Sequence, residues 1–80
     1  METKVMMIVK EAMNWDGMID VNTDLFELGL DSLGVLKIIA YIEDAWDIEI
    51  EDEDITFDNM RTVGAIIMML GKYDRGGCQQ

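Results

Sequence analysis

One serine stands where its hydroxyl could do chemistry. Ser32 follows Asp31 in the stretch LFELGLDSLGVLKII, residues 25–39, where a loop gives way to an apolar segment. Three roles suit a serine in such a place: a nucleophile, a helix cap, or the attachment point of a group that the twenty amino acids do not supply.

Catalysis by Ser32 is the weakest of these readings. A serine nucleophile needs an adjacent base, usually histidine, and an oxyanion hole, but the chain has no histidine. Asp31 is a sequence neighbour, and adjacent helix residues do not face each other. A serine–lysine pair would need Lys37 or Lys10 in a dry cleft, for which an 80-residue chain has little room. We therefore expect a protein that is not an enzyme and holds no metal.

Composition restricts the partners. Seventeen acids against six bases leave a net charge of -11, so nucleic acid and anionic membranes repel the chain and basic protein surfaces attract it. The longest apolar run, residues 65–70, is far short of the roughly 20 residues that cross a bilayer. The N-terminal stretch lacks a signal peptide's uninterrupted apolar core, and Cys78 is the only cysteine. We expect a cytoplasmic monomer without a membrane span.

Three main helices should position the serine. Apolar residues recur at helical spacing over residues 3–14, and Asn14 ends that run. Asp31 is a good N-cap for a helix over residues 32–46, and Thr62 caps a last helix. The sequence predicts a packed loop between the first two helices. Its apolar residues that should turn into the core are Leu25, Phe26 and Leu28.

The acidic stretch 47–60 predicts a loop with one short helical turn near residues 56–60. Its apolar residues alternate as in a strand, but no second segment offers a pairing partner. Residues 1–74 should form the domain, and residues 75–80 a disordered tail. The sequence thus predicts an all-α fold: a small four-helix bundle, three main helices plus one short helix, with a long first loop.

The second helix carries more apolar side chains than a small bundle needs to bury. Some of them should be exposed, and an exposed apolar patch usually marks a binding surface. The residues at helical spacing are Leu33, Leu36, Ile39, Ala40, Ile42 and Trp46, and Val35 and Ile38 widen this stripe.

Residues 25–50 resemble the acyl and peptidyl carrier protein family. The matching parts are the LFELGLDSL loop, the helix after the serine, the acidic IED near its end, and an aromatic followed by DIEI. The resemblance extends from about Val5 to Tyr73. It implies a four-helix bundle in which Ser32 carries a 4′-phosphopantetheine arm taken from coenzyme A. It also implies that Asp31, beside the serine, helps the phosphopantetheinyl transferase to recognise the chain.

The resemblance also implies a partner surface on the second helix. There an acyl-activating or aminoacyl-activating ligase and downstream enzymes, with basic docking surfaces, would exchange an acyl group held as a thioester. A peptidyl or D-alanyl carrier remains an alternative. The matching positions are Leu33, Leu36, Lys37, Ala40, Glu43 and Asp44.

Three residues depart from the family pattern. Gly34 and Lys37 stand where carriers of the fatty-acid type usually have acids, and Glu51 replaces a usual proline. These departures favour a specialised carrier over one of the main fatty-acid pathway.

A calcium-binding module is the rival from another class. Asp20, Asn22, Asp24 and Asp31 fall at positions one, three, five and twelve of an EF-hand-like loop. Leu25 weakens this reading, because it occupies position six, where that loop requires glycine. A plain interaction bundle is a third possibility.

Overall fold

Four helices build the fold. A computed structural model describes residues 2–78, with side chains described up to Tyr73. The helices are α1 (Glu2–Met13), α2 (Ser32–Trp46), α3 (Phe57–Met60) and α4 (Val63–Cys78), with a 3₁₀ turn at Asp52–Asp54. The all-α prediction is confirmed, including the short third helix and the long first loop; residues 2–78 contain no strand. None of the helices in this range is long and apolar enough to cross a membrane.

The helix ends follow local signals. The Asp31 carboxylate accepts the Gly34 N–H at 2.9 Å, which fixes the first turn of α2. The Thr62 hydroxyl accepts the Ala65 N–H at 3.0 Å and caps α4 in the same way. Asn14 ends α1 in the left-handed conformation, φ 55°, which asparagine tolerates better than most residues. These three predictions are therefore confirmed.

The bundle covers only part of the wide apolar stripe of α2. α1 packs against α2 and α4, and α3 packs against α4. Leu33 and Leu36 remain 62% and 60% exposed, because they lie on the side of α2 that faces solvent. The α2 residues that enter the core instead are Gly34, Val35, Ile38, Ile39 and Ile42.

The long first loop is packed by its own apolar side chains. Leu25 is fully buried, and its N–H donates to the Arg61 carbonyl at 2.7 Å. Phe26 and Leu28 are half-buried against the core, as predicted. The Asp24 carboxylate accepts the Phe26 N–H at 3.0 Å and so satisfies the turn locally. The loop is thus a fixed part of the core.

The C-terminal segment differs from its prediction. α4 continues to Cys78, so residues 75–78 are helical where the sequence predicts disorder. No proline interrupts this segment, so the helix can continue although glycine is a poor helix former at residues 76 and 77. Gln79 and Gln80, also predicted to be disordered, lie outside the described residues.

Candidate functional site

Ser32 opens α2 and is exposed to solvent. The Asp31 carboxylate accepts the Gly34 N–H. The N–H groups of Ser32 and Leu33, which come first in the helix, have no acceptor within it. The N-terminal end of the helix dipole adds partial positive charge at the same place. The surroundings of the Ser32 hydroxyl therefore favour an attached anion such as a phosphate.

A cavity of about 370 Å³ adjoins Ser32. α2 forms one wall, and α3 with the residues before it forms the other. Phe57, 71% exposed, stands at the edge of this cavity and packs edge-on against Phe26, with ring centroids 5.3 Å apart. The lining residues are Ser32, Val35, Ile55, Thr56, Phe57 and Met60.

The site presents a hydroxyl without an activating base. The chain has no histidine, and Lys37 lies five residues along α2, about 140° around the helix axis from Ser32. Lys37 is also exposed, so it does not sit in the dry cleft that a serine–lysine pair needs. The arrangement suits Ser32 as an acceptor of a group delivered by another protein.

The residues predicted as a partner surface fall into two environments. Leu33, Leu36, Lys37, Ala40 and Asp44 are exposed on α2. Glu43 is half-buried, and its carboxylate accepts the Ile50 N–H at 2.9 Å. Glu43 therefore joins the end of α2 to the following loop, a role for which the sequence carries no local signal.

Three carboxylates of the EF-hand-like pattern accept hydrogen bonds from backbone N–H groups. Asp20 accepts the Asn22 N–H at 2.9 Å, Asp24 caps the next turn, and Asp31 caps α2. Asp24 also lies 3.7 Å from the Arg61 guanidinium. In the part of the chain that the structure describes, no three acidic or cysteine side chains converge to hold a metal ion. Turn and cap formation accounts for the spacing of these residues.

The structure contains a hydrogen-bonded cluster around Asp54 that the sequence did not predict. The Asp54 carboxylate accepts hydrogen bonds from the Lys72 ammonium, at 2.7 Å, and from the Tyr73 hydroxyl, which in turn accepts the Glu51 N–H at 3.1 Å. The bond from Lys72, followed by that from Tyr73, lowers the pKa of Asp54, and the bond to Asp54 raises the pKa of Tyr73. This cluster ties the 3₁₀ turn to α4. Its hydrogen-bonded partners lie 18 or more residues apart, so no local pattern reveals it.

Comparison with known proteins decides the family. Residues 3–70 match the family model described as the phosphopantetheine attachment site. The chain belongs to this family. Its members are carrier proteins rather than catalysts, and they hold 4′-phosphopantetheine covalently.

Several acyl carrier proteins are similar to this family member. It is 38% identical over 65 residues to one from Streptococcus thermophilus, covering 80% of this chain and 82% of that protein. A Syntrophobacter fumaroxidans protein is 44% identical over 46 residues, 58% of this chain and 54% of the relative. A solved structure described as an acyl carrier protein of Mycobacterium tuberculosis superposes with a TM-score of 0.77 at 29% identity, covering 90% of this chain and 96% of the other.

The residues at the start of α2 fit the family's prosthetic group. Ser32 offers an exposed hydroxyl that could be joined to this group, and the first N–H groups of α2, which have no acceptor within the helix, would favour its phosphate. When bound, this group would supply a thiol. Gly34 does not distort this end of the helix, since its N–H is held by the Asp31 cap.

Proposed function

We propose that Ser32 is the attachment point of 4′-phosphopantetheine and that the chain works as an acyl carrier protein. The observation that carries this proposal is the exposed Ser32 hydroxyl at the N-terminus of a 15-residue helix. The cargo would be an acyl group held as a thioester and passed between biosynthetic enzymes.

The chemistry asked of Ser32 is limited. A phosphopantetheinyl transferase would deliver the group from coenzyme A. The Ser32 oxygen forms a bond to phosphorus, the pyrophosphate bond breaks, 3′,5′-ADP leaves, and the serine proton passes to a base of the transferase. The chain itself contributes position and an anion-favouring helix end, which agrees with the absence of histidine from its sequence.

Charge supports a role between partner enzymes. The net charge of -11 attracts proteins with basic docking surfaces, and this attraction weakens as salt screens it. We propose the transferase, an acyl-activating ligase and downstream transfer enzymes as the partners. An enzyme that acts on a group attached to Ser32 must approach α2 at its N-terminal end, where Leu33 and Leu36 are exposed.

The test is the intact mass of the purified apo chain after incubation with coenzyme A, magnesium and a broad-specificity phosphopantetheinyl transferase. We expect a gain of one phosphopantetheinyl unit. Ser32 is the only serine in the chain, so Ser32→Ala should abolish the gain. Thr56→Ala is the matched control: Thr56 lies on the opposite wall of the same cavity, where its hydroxyl accepts the Asn59 N–H and caps α3, and its removal should leave the gain intact.

Circular dichroism of each variant shows whether it is folded. A folded native chain that gains no mass, or a Ser32→Ala chain that still gains it, would contradict the proposal. Loading of the modified chain by acyl-activating and by amino-acid-activating ligases would then separate an acyl carrier from a peptidyl or D-alanyl carrier.

A further inference from the structure

The surface next to Ser32 differs in charge from the rest of the chain. Residues 32–42 contain no acid and one base, Lys37, although the chain carries -11 in total. Lys37 is exposed and takes part in neither of the ion pairs found within residues 2–73, which join Arg61 to Asp24 and Lys72 to Asp54. The first three turns of α2 therefore form an apolar surface with a single positive charge.

Lys37 also borders a polar cleft of about 220 Å³. The end of α1 and the loop before Ser32 form one side of this cleft, and the first turns of α2 form the other. Leu33 and Lys37 are one helical turn apart and project on the same side of α2. Gly34, between them, presents no side chain, so the cleft stays open beside Lys37. Asp31 also lines the cleft, but its carboxylate oxygen already accepts the Gly34 N–H.

The phosphate of the prosthetic group does not account for Lys37. Five residues separate it from Ser32, which places the two side chains about 140° apart around the axis and about 7.5 Å apart along it. The free N–H groups at the start of α2 already face the phosphate. The Lys37 ammonium points instead along the side of α2 that carries the exposed Leu33.

We infer that the cognate enzymes of this carrier seat a carboxylate side chain in the cleft beside Lys37, within a docking surface that is otherwise apolar and basic. The inference rests on the proposed function: an enzyme that docks over the exposed Leu33 beside Ser32 also covers Lys37, which lies one turn further along the same side of α2. Covering an unpaired ammonium is unfavourable unless the partner supplies an opposite charge. The same feature discriminates against enzymes with uniformly basic docking surfaces, because they would place like charges together.

The test uses a phosphopantetheinyl transferase with a basic docking surface as the probe. Its kcat/KM is measured for the native apo chain, for Lys37→Glu and for Lys10→Glu. Lys10 is a matched control, because it lies on α1 outside the cleft and gives the same change in total charge. We expect Lys37→Glu to raise kcat/KM about threefold to tenfold, and Lys10→Glu to change it less than about twofold.

Variants of the same transferase supply the carboxylate. Each basic residue of its docking surface is changed in turn to glutamate and assayed with the native chain and with Lys37→Glu. We expect one position at which glutamate raises kcat/KM for the native chain and lowers it for Lys37→Glu. High salt should reduce both of these changes in kcat/KM, because it screens the charges.

Three outcomes would overturn the inference: equal effects of Lys37→Glu and Lys10→Glu, no effect of either, or no transferase position coupled to Lys37. These outcomes leave the proposed function standing, because the native chain is still modified and Ser32→Ala is not. If no chain is modified at all, the proposed function fails and the inference fails with it.

Discussion

One pair of substitutions distinguishes the capping role of Asp31 from its proposed role in recognition by the transferase. Its carboxylate caps α2 by accepting the N–H of Gly34, which is a buried residue. Asp31→Ala leaves that N–H without its partner, so we expect a loss of about 1–2 kcal/mol in the free energy of unfolding. For a domain of this size, such a loss lowers the melting temperature by about 5–15 °C. Asp31→Asn keeps a side-chain oxygen for the cap, so its stability should stay close to that of the native chain.

Modification of Ser32 then tests the second role. If Asp31 helps the transferase through its charge, both variants lose kcat/KM at a temperature where both are folded. If Asp31 is only a cap, Asp31→Asn is modified as fast as the native chain. The assays are urea unfolding for stability and intact mass against time for modification. Equal stability of Asp31→Ala and the native chain would refute the capping argument.

Two further predictions concern the scaffold. Leu25→Ala should lower the free energy of unfolding by about 3–5 kcal/mol, measured in urea, because Leu25 is fully buried. Met18→Ala should leave it nearly unchanged, because Met18 is a loop residue that is 92% exposed. Equal losses in the two variants would contradict the packed loop. Tyr73→Phe removes a bond that lowers the pKa of Asp54 from 3.8 and raises that of Tyr73 from 10.0. The lowered pKa of Asp54 stabilises the folded chain above about pH 4, and this stabilisation is lost as the pH falls through the pKa of folded Asp54. The raised pKa of Tyr73 stabilises the folded chain below about pH 10, and this stabilisation is lost as the pH rises through the pKa of folded Tyr73. The native chain should thus be more stable than Tyr73→Phe at neutral pH, with the gap closing at both extremes in thermal melts; a gap independent of pH would contradict this.

The start of the site could be predicted because its signals are local. Asp31 caps the helix that it precedes, and the bounds predicted for α2 agree with the structure. The choice of buried face could not be predicted, because the stripe on α2 is too wide for periodicity to show which side α1 covers. Leu33 and Ile38 are equally apolar in the sequence, yet one is 62% exposed and the other is fully buried.

Contacts between distant residues were also beyond local patterns. The bond from Ile50 to Glu43 and the bonds of Lys72 and Tyr73 to Asp54 depend on how the acidic stretch folds back. That stretch carries the wall of the cavity opposite Ser32, including Phe57. The sequence could therefore locate the Ser32 hydroxyl but not its surroundings.

The position of Ser32 at the start of α2 depends on the long first loop. Its backbone is attached to the start of α4 at two places: the Leu25 N–H donates to the Arg61 carbonyl, and the Gly64 N–H donates to the Val21 carbonyl at 3.0 Å. Glycine favours the second contact, because a Cβ at Gly64 would lie 3.1 Å from the Val21 carbonyl oxygen, which is closer than an ordinary contact. These two bonds hold the loop that leads to Asp31 against the segment that enters α4, and the Asp31 cap then begins α2. Loosening this attachment should therefore impair modification of Ser32 even where the residues of α2 are unchanged.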